Sequence, residues 1–254
     1  IRKLAGDNPP EFLLTHPVTS SRVSDALNAA DQIEFSGGKK NTINFEFVKG
    51  RLKARYAPST PQATIRYFEQ LSKENPSNEN KYAYLTALQG IGDFKKALIL
   101  VDELLSKYPK NLILNITKSE IYLLAQELDK AKIQIEQVLK ISPGNYPASI
   151  IKSNILSAQN KTIQAEEIVR ELLISKNNDP HLWMLLSEIQ RSGKNILGYH
   201  LSRGEYYLLL GDLENALNQF QFALRLSSNS FQTSETIMTK IKYAQDRLGQ
   251  KRGL

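Results

Sequence analysis

An all-α solenoid of stacked helix–turn–helix units is the fold class this sequence predicts, and three observations predict it. Ala63, Ala97, Ala131 and Ala165 follow one another at intervals of 34 residues, and Ala216 comes 51 residues after the last. Other positions keep the step: Phe94, Leu128 and Thr162 lie three before the alanine; Val101, Ile135 and Val169 lie four after it; Leu104, Val138 and Leu172 lie seven after it. Spacings of three, four and seven place these side chains on one stripe of a helix, the face that packs inward. Pro109 and Pro143, each twelve after an alanine, then close a unit, because proline cannot continue a helix.

A period of 34 residues marks the tetratricopeptide (TPR) repeat. The alanine sits where the two helices of a unit approach most closely and a larger side chain would push them apart. Gly92-Asp93 and Gly211-Asp212 mark turns between paired helices. Agreement with the pattern is fullest around Ala216, where Gly204, Tyr207, Gly211, Leu213, Phe220 and Ala223 all fall in place. The 51-residue step exceeds one period by half a period, 17 residues (51−34). Trp183 fits a unit opening at Pro180, yet Gly204 and Tyr207 open another half a period later. A half-period shift exchanges first and second helices. The expectation is therefore a superhelix broken near residues 193–198, a helix over about Leu197–Leu210 packing in two roles, and at the break a notch or a separate lobe, a candidate pocket.

Composition bounds the rest. The 254 residues are 41% hydrophobic, enough to bury a core that a solenoid spreads thinly. About a dozen helices of roughly 12–16 residues are expected. There is no cysteine, so neither a disulfide framework nor a cysteine zinc site. No apolar stretch approaches the ~20 residues that span a bilayer, so the chain is not expected to cross a membrane. The net charge of +7 is spread over solvated lysines such as Lys39, Lys40, Lys95, Lys96, Lys107 and Lys110. No basic stripe is interleaved with aromatics, and no nucleic-acid partner is expected. No nucleophile–base pair, phosphate-binding glycine loop or metal-ligand cluster stands out.

The first forty residues differ. Asn8-Pro9-Pro10 reads as a loop, Phe12-Leu13-Leu14 as a short apolar run, and Thr15-His16-Pro17-Val18-Thr19-Ser20-Ser21-Arg22 leads into a helix. That helix is expected over Val23–Glu34, capped by Ser20 or Ser21, with Val23, Ala26, Leu27, Ala30 and Ile33 inward. Ser36 to Asn41 reads as a flexible connection to the first repeat helix. The chain opens on Ile1 rather than methionine, with no signal peptide visible, and is expected to be a piece of a longer or processed protein.

The string from Thr15 to Arg22, followed by a helix and then TPR units, resembles the end of the catalytic domain of BepA (YfgC)-type periplasmic zinc metalloproteases. The run from Gly204 to Leu213 is similar in flavour to that family's last repeat. The resemblance implies two parts: residues 1–36 as the C-terminal remnant of a metalloprotease domain, and residues 37–254 as a TPR domain of about four to six repeats, irregular at both ends. It implies periplasmic localisation and recruitment of substrates. The implied partners are the outer-membrane β-barrel assembly machinery and misfolded outer-membrane proteins. Such enzymes hold zinc with His-Glu-x-x-His, the glutamate acting as base. His16, His181 and His200 do not begin that motif, so this chain is not itself expected to be catalytic, and zinc belongs to a longer parent. His16 matches the family's histidine that occupies the fourth zinc position and holds the enzyme latent; its other reading is a loop histidine without a role. Arg22 either ties that loop to an acidic residue or simply starts the helix. His181 and His200 read as packing and solvent-exposed residues respectively.

A partner would lie along the first helices of the units, at positions 2, 5, 9 and 12. With units opening at Asn78, Leu112 and Tyr146, the candidate partner-binding residues are Tyr82, Thr86 and Gln89, then Ile116, Glu120 and Leu123, then Ile150 and Asn154. This mixture suits an extended or helical segment. A ring of basic groups is missing, which argues against a carboxylate clamp. The alternative to a protease arm is a freestanding TPR scaffold in pilus or secretion-system assembly.

Overall fold

The computed structural model describes residues 19–32 and 42–252, and it falls into two compact units, Ile1–Thr42 and Ile43–Leu254. In the first unit the described element is α1 (Thr19–Asp31). It starts ahead of Ser20 and Ser21, so neither serine caps it, and Val23, Ala26 and Leu27 are exposed rather than inward. Periodicity located the apolar stripe, but within this unit nothing described covers it. His16, Ile33 and the 36–41 connection lie outside the described residues.

The second unit is a succession of helices: α2 (Ile43–Arg55), α3 (Pro61–Glu74), α4 (Asn78–Ile91), α5 (Phe94–Lys107), α6 (Leu112–Leu124) and α7 (Leu128–Ile141), then α8 (Tyr146–Ala158), α9 (Thr162–Ser175), α10 (Pro180–Ser192), α11 (Ile196–Leu209), α12 (Leu213–Leu226) and α13 (Phe231–Arg252). Among the described residues there is no strand, and the architecture is an all-α TPR solenoid. The caps explain the boundaries. Side chains of Asp93, Asn111, Asn145, Asp179, Asn195 and Asp212 each accept a backbone N–H from the first turn of the helix they precede, satisfying donors the helix leaves orphaned.

Tight turns join the two helices of each pair, and their geometry repeats. Gly92, Gln126, Asn160 and Lys194, spaced by 34 residues, all take positive φ, at 81°, 61°, 60° and 59°. Looser connections such as Ser142-Pro143-Gly144-Asn145 lead to the next pair. Ala97, Ala131, Ala165 and Ala216 are fully buried at the helix crossings, each four residues after its N-cap. Ala63 is the exception: it is exposed. Thr60 caps α3, so the packing position falls on Thr64, and Thr64 and Phe68 are the buried pair. The 34-residue spacing to Ala63 is thus one residue out of register with the packing. In α9 the inward place expected for Leu172 is shared with Leu173, which is the more buried of the two.

The half-period step falls on α11. Chain passage through 193–195 uses the same tight turn as the other pairs, and a second such turn follows at Gly211 (φ 73°), 17 residues after Lys194. Helix α11 therefore pairs with α10 before it and with α12 after it. Toward α10 it presents Gly198 and Ser202; toward α12 it presents Gly204, where a β-carbon would stand 2.3 Å from the Phe220 ring. The last helix, α13, buries Ile237 against α12 and ends the stack.

Candidate functional site

Helix α2 does not pair with α3 as a regular unit would. Both pack on α4, and α2 reaches α6 as well. The cause is Gly50, whose α-carbon lies so close to α4 that a β-carbon would stand 2.3 Å from the Glu79 carbonyl oxygen. Phe47 fills the space beside it, 5.2 Å from the Tyr82 ring and 6.1 Å from that of Tyr108. Lys49 and Lys53 both pair with Glu79 across the contact. Because α2 leans away from α3, a cleft of about 350 Å³ opens between α2, the turn after it, α3, α4 and α6.

Of the residues expected to bind a partner, the cleft gathers Thr86, Gln89 and Glu120. Tyr82 does not reach it. It is fully buried under α2, with its hydroxyl 2.7 Å from Arg51 Nη2 and 2.6 Å from Thr117 Oγ1. Ile116 belongs to the core shared with Ala131, Ile135 and Ile155, against which Leu123 also packs; Ile150 packs on the core beneath α10. These aliphatic side chains hold helices together. Asn154 stays half-exposed on α8, away from the cleft lining.

Arg51 and Arg55, absent from the sequence-derived set, bring the positive charge. The groove positions are read only from units opening at Asn78, Leu112 and Tyr146, which leaves α2 out, and the chance to find these arginines lies in their i, i+4 spacing on one helix face. Arg51 Nη2 donates to Tyr82 Oη and to Thr117 Oγ1 (3.1 Å), and stands 3.8 Å from Glu120 Oε2. Thr117 in turn donates to the Ile113 carbonyl (2.8 Å), so the Tyr82 hydroxyl donates to Thr117 and accepts from Arg51. Burial pushes the Tyr82 phenol up and keeps it neutral, although the Arg51 charge opposes this. The guanidinium is thereby fixed through one nitrogen, with its remaining N–H groups unpartnered among the described residues. Arg55 is exposed and unpaired among them.

A second cleft, of about 380 Å³, lies at the register step, where the sequence places a notch. Trp183, Leu201 and Ile237 form its apolar part. Several of its polar groups bond one another: Gln190 donates to Glu166 (2.9 Å), Ser202 donates to Gln190 (2.7 Å), and Lys240 pairs with Glu205. Nearby, His200 bonds Gln219 (2.8 Å) and stacks on Phe222, while His181 is exposed at the start of α10. Among the described residues no three His, Asp or Glu side chains gather in a metal-binding group, and no helix is long and apolar enough to cross a membrane.

Comparison with known proteins adds a direction. The β-barrel assembly-enhancing protease of Escherichia coli K12 is 25% identical over 217 residues, which is 83% of this chain and 43% of that protein. Its counterpart in Yersinia pestis is 27% identical over 185 residues, 71% of this chain and 37% of that protein. The chain is similar to the β-barrel assembly-enhancing proteases. It spans less than half the length of these curated relatives. No protein-family model matches it. Among solved structures, a TPR protein of Parabacteroides merdae aligns over 89% of this chain and 90% of its own, at 14% identity and a TM-score of 0.49. A TPR protein of Thermus thermophilus aligns over 77% and 98%, at 20% identity and the same TM-score, 0.49.

Proposed function

We propose that this chain is the non-catalytic, protein-binding arm of a periplasmic protease of the β-barrel assembly-enhancing type. It recruits misfolded outer-membrane proteins and the β-barrel assembly machinery to that enzyme. The observation that carries the reading is the α2–α3–α4–α6 cleft. It offers fixed and free hydrogen-bonding groups around small apolar side chains, on a fold whose units build binding surfaces rather than reaction centres. The names of the relatives supply the direction of the partner. Residues 1–36 are then the end of the catalytic domain and residues 37–254 the TPR domain. In this reading zinc belongs to the remainder of the enzyme.

The test is photo-crosslinking in the envelope of the source cell, with the crosslinker placed at Gln89 or Leu124 in the cleft and at Lys107 as a control. Adducts with β-barrel assembly components or unfolded outer-membrane proteins from the cleft positions alone are expected. Adducts only with pilus or secretion-system proteins would replace this reading with that of a freestanding scaffold. In the same reading, His16→Ala in the protease as it exists in the cell raises proteolysis of its substrates; unchanged proteolysis removes the switch role.

A further inference from the structure

We infer that the cleft between α2 and α4 recognises an acidic side chain, Asp or Glu, carried by an extended stretch of the bound polypeptide. The inference rests on the protein-binding reading above and names the chemistry of its ligand. Arg51 and Arg55 project from successive turns of α2 into one cleft, and no residue among those described neutralises Arg55. Arg51 is held in place by Tyr82 and Thr117 through a single nitrogen, so its remaining N–H groups are pre-oriented at little entropic cost. Two guanidinium groups one turn apart on a helix can fork a single carboxylate.

The rest of the cleft fits a peptide backbone. Ala54 and Ala87 are small, and Gly90 has no side chain, with open space where a β-carbon would stand; a chain can therefore approach closely. Gln89 offers a donor and an acceptor to peptide groups. Glu120, 3.8 Å from Arg51, accepts an N–H beside the bound acid. Glu120 offsets one of the two arginine charges, which leaves enough for a single carboxylate and too little for a polyanion such as a nucleic acid. A charge-assisted hydrogen bond supports about a tenfold preference for the ionised acid over its amide.

The experiment measures binding of the whole chain to fluorescent decapeptide pools, acetylated and amidated at their ends, with Ala, Gly, Ser and Leu varied around a fixed central Glu, Gln or Lys. Wild-type protein should bind the Glu pool about tenfold more tightly than the Gln pool, with the gap narrowing as salt rises. Arg55→Gln, at an exposed position, should bring the two pools within about twofold while leaving the helical circular dichroism and the Tm unchanged. Equal binding of Glu and Gln pools by the wild type overturns acid recognition and leaves the protein-binding reading standing. A Glu preference that survives Arg55→Gln overturns the assignment to this cleft. Binding of none of the pools overturns both.

Discussion

At Gly50 the absence of a side chain decides how α2 lies on α4. A β-carbon there would meet the Glu79 carbonyl oxygen at 2.3 Å and the Ala83 nitrogen at 3.1 Å, backbone atoms that cannot rotate away. Gly50→Ala should therefore cost about 1–3 kcal/mol, read as a lower Tm, and should widen the cleft as α2 moves out. The matched control is Gly90→Ala. Nothing lies within 4 Å of its β-carbon position, so removing glycine's chain entropy from a helix should stabilise by about 0.5–1 kcal/mol. Tyr146 gives a second reading at this scale. Burial, and then its 2.6 Å hydrogen bond to Asp179, push its phenol up to about 12. The raised value means the bond's contribution is complete below the unfolded phenol's value near 10 and is lost as pH rises through about 12. Ultraviolet titration should show the Tyr146 phenol ionising late, and Asp179→Asn should bring it down by the share of the hydrogen bond while burial still holds it raised.

Between elements, the α2–α4 contact carries a charge clasp as well as the glycine. Burial raises the Glu79 carboxyl, but hydrogen bonds from Lys53 and Lys49 and their charges together outweigh it, and the net shift is downward. A depressed carboxylate stabilises the fold above its unfolded value, and that share is lost as pH falls below about 4. Acid should loosen α2 before the middle of the solenoid, seen as early hydrogen exchange over residues 43–55, and Glu79→Gln should abolish that pH dependence. An α2 that exchanges together with α6 at every pH would show that the clasp contributes nothing separable. Helix α11 is the other decisive element. By pairing with both neighbours it lets the chain change register by half a period without an unpaired helix, and the second cleft is the space the step leaves.

For the molecule as a whole, each helix pair of the second unit leans on its neighbours, so stability is close to a sum of local terms. The terminal α13 caps the stack by covering Phe220 and Ala223 with Ile237 and Ile241. Removing residues 231–254 should expose that core, lower the hydrogen-exchange protection of α11 and α12, and leave α4 to α8 protected as before. Loss of protection along the whole chain would show instead that the solenoid folds as one cooperative block. The clefts follow the same logic: both lie where the repeat is irregular, because regular pairs close their own gaps.

The sequence by itself determined the repeat and most of the core. Period and helical spacing identified Ala97, Ala131, Ala165 and Ala216 as crossings, and Gly92 and Gly211 as turns, because these properties depend on neighbours within one unit. The 51-residue step also announced the double role of α11, since a shift of half a period admits no other pairing. Only the tertiary structure decided the rest. Ala63 lost its place to Thr64 because a cap one residue later rotates α3, and Tyr82 left the groove because α2, which no repeat position describes, lies over it. Arg51 and Arg55 entered the cleft for the same reason. Where an irregular first helix comes to rest depends on a close approach between distant residues, Gly50 and Glu79, and no periodicity encodes that contact.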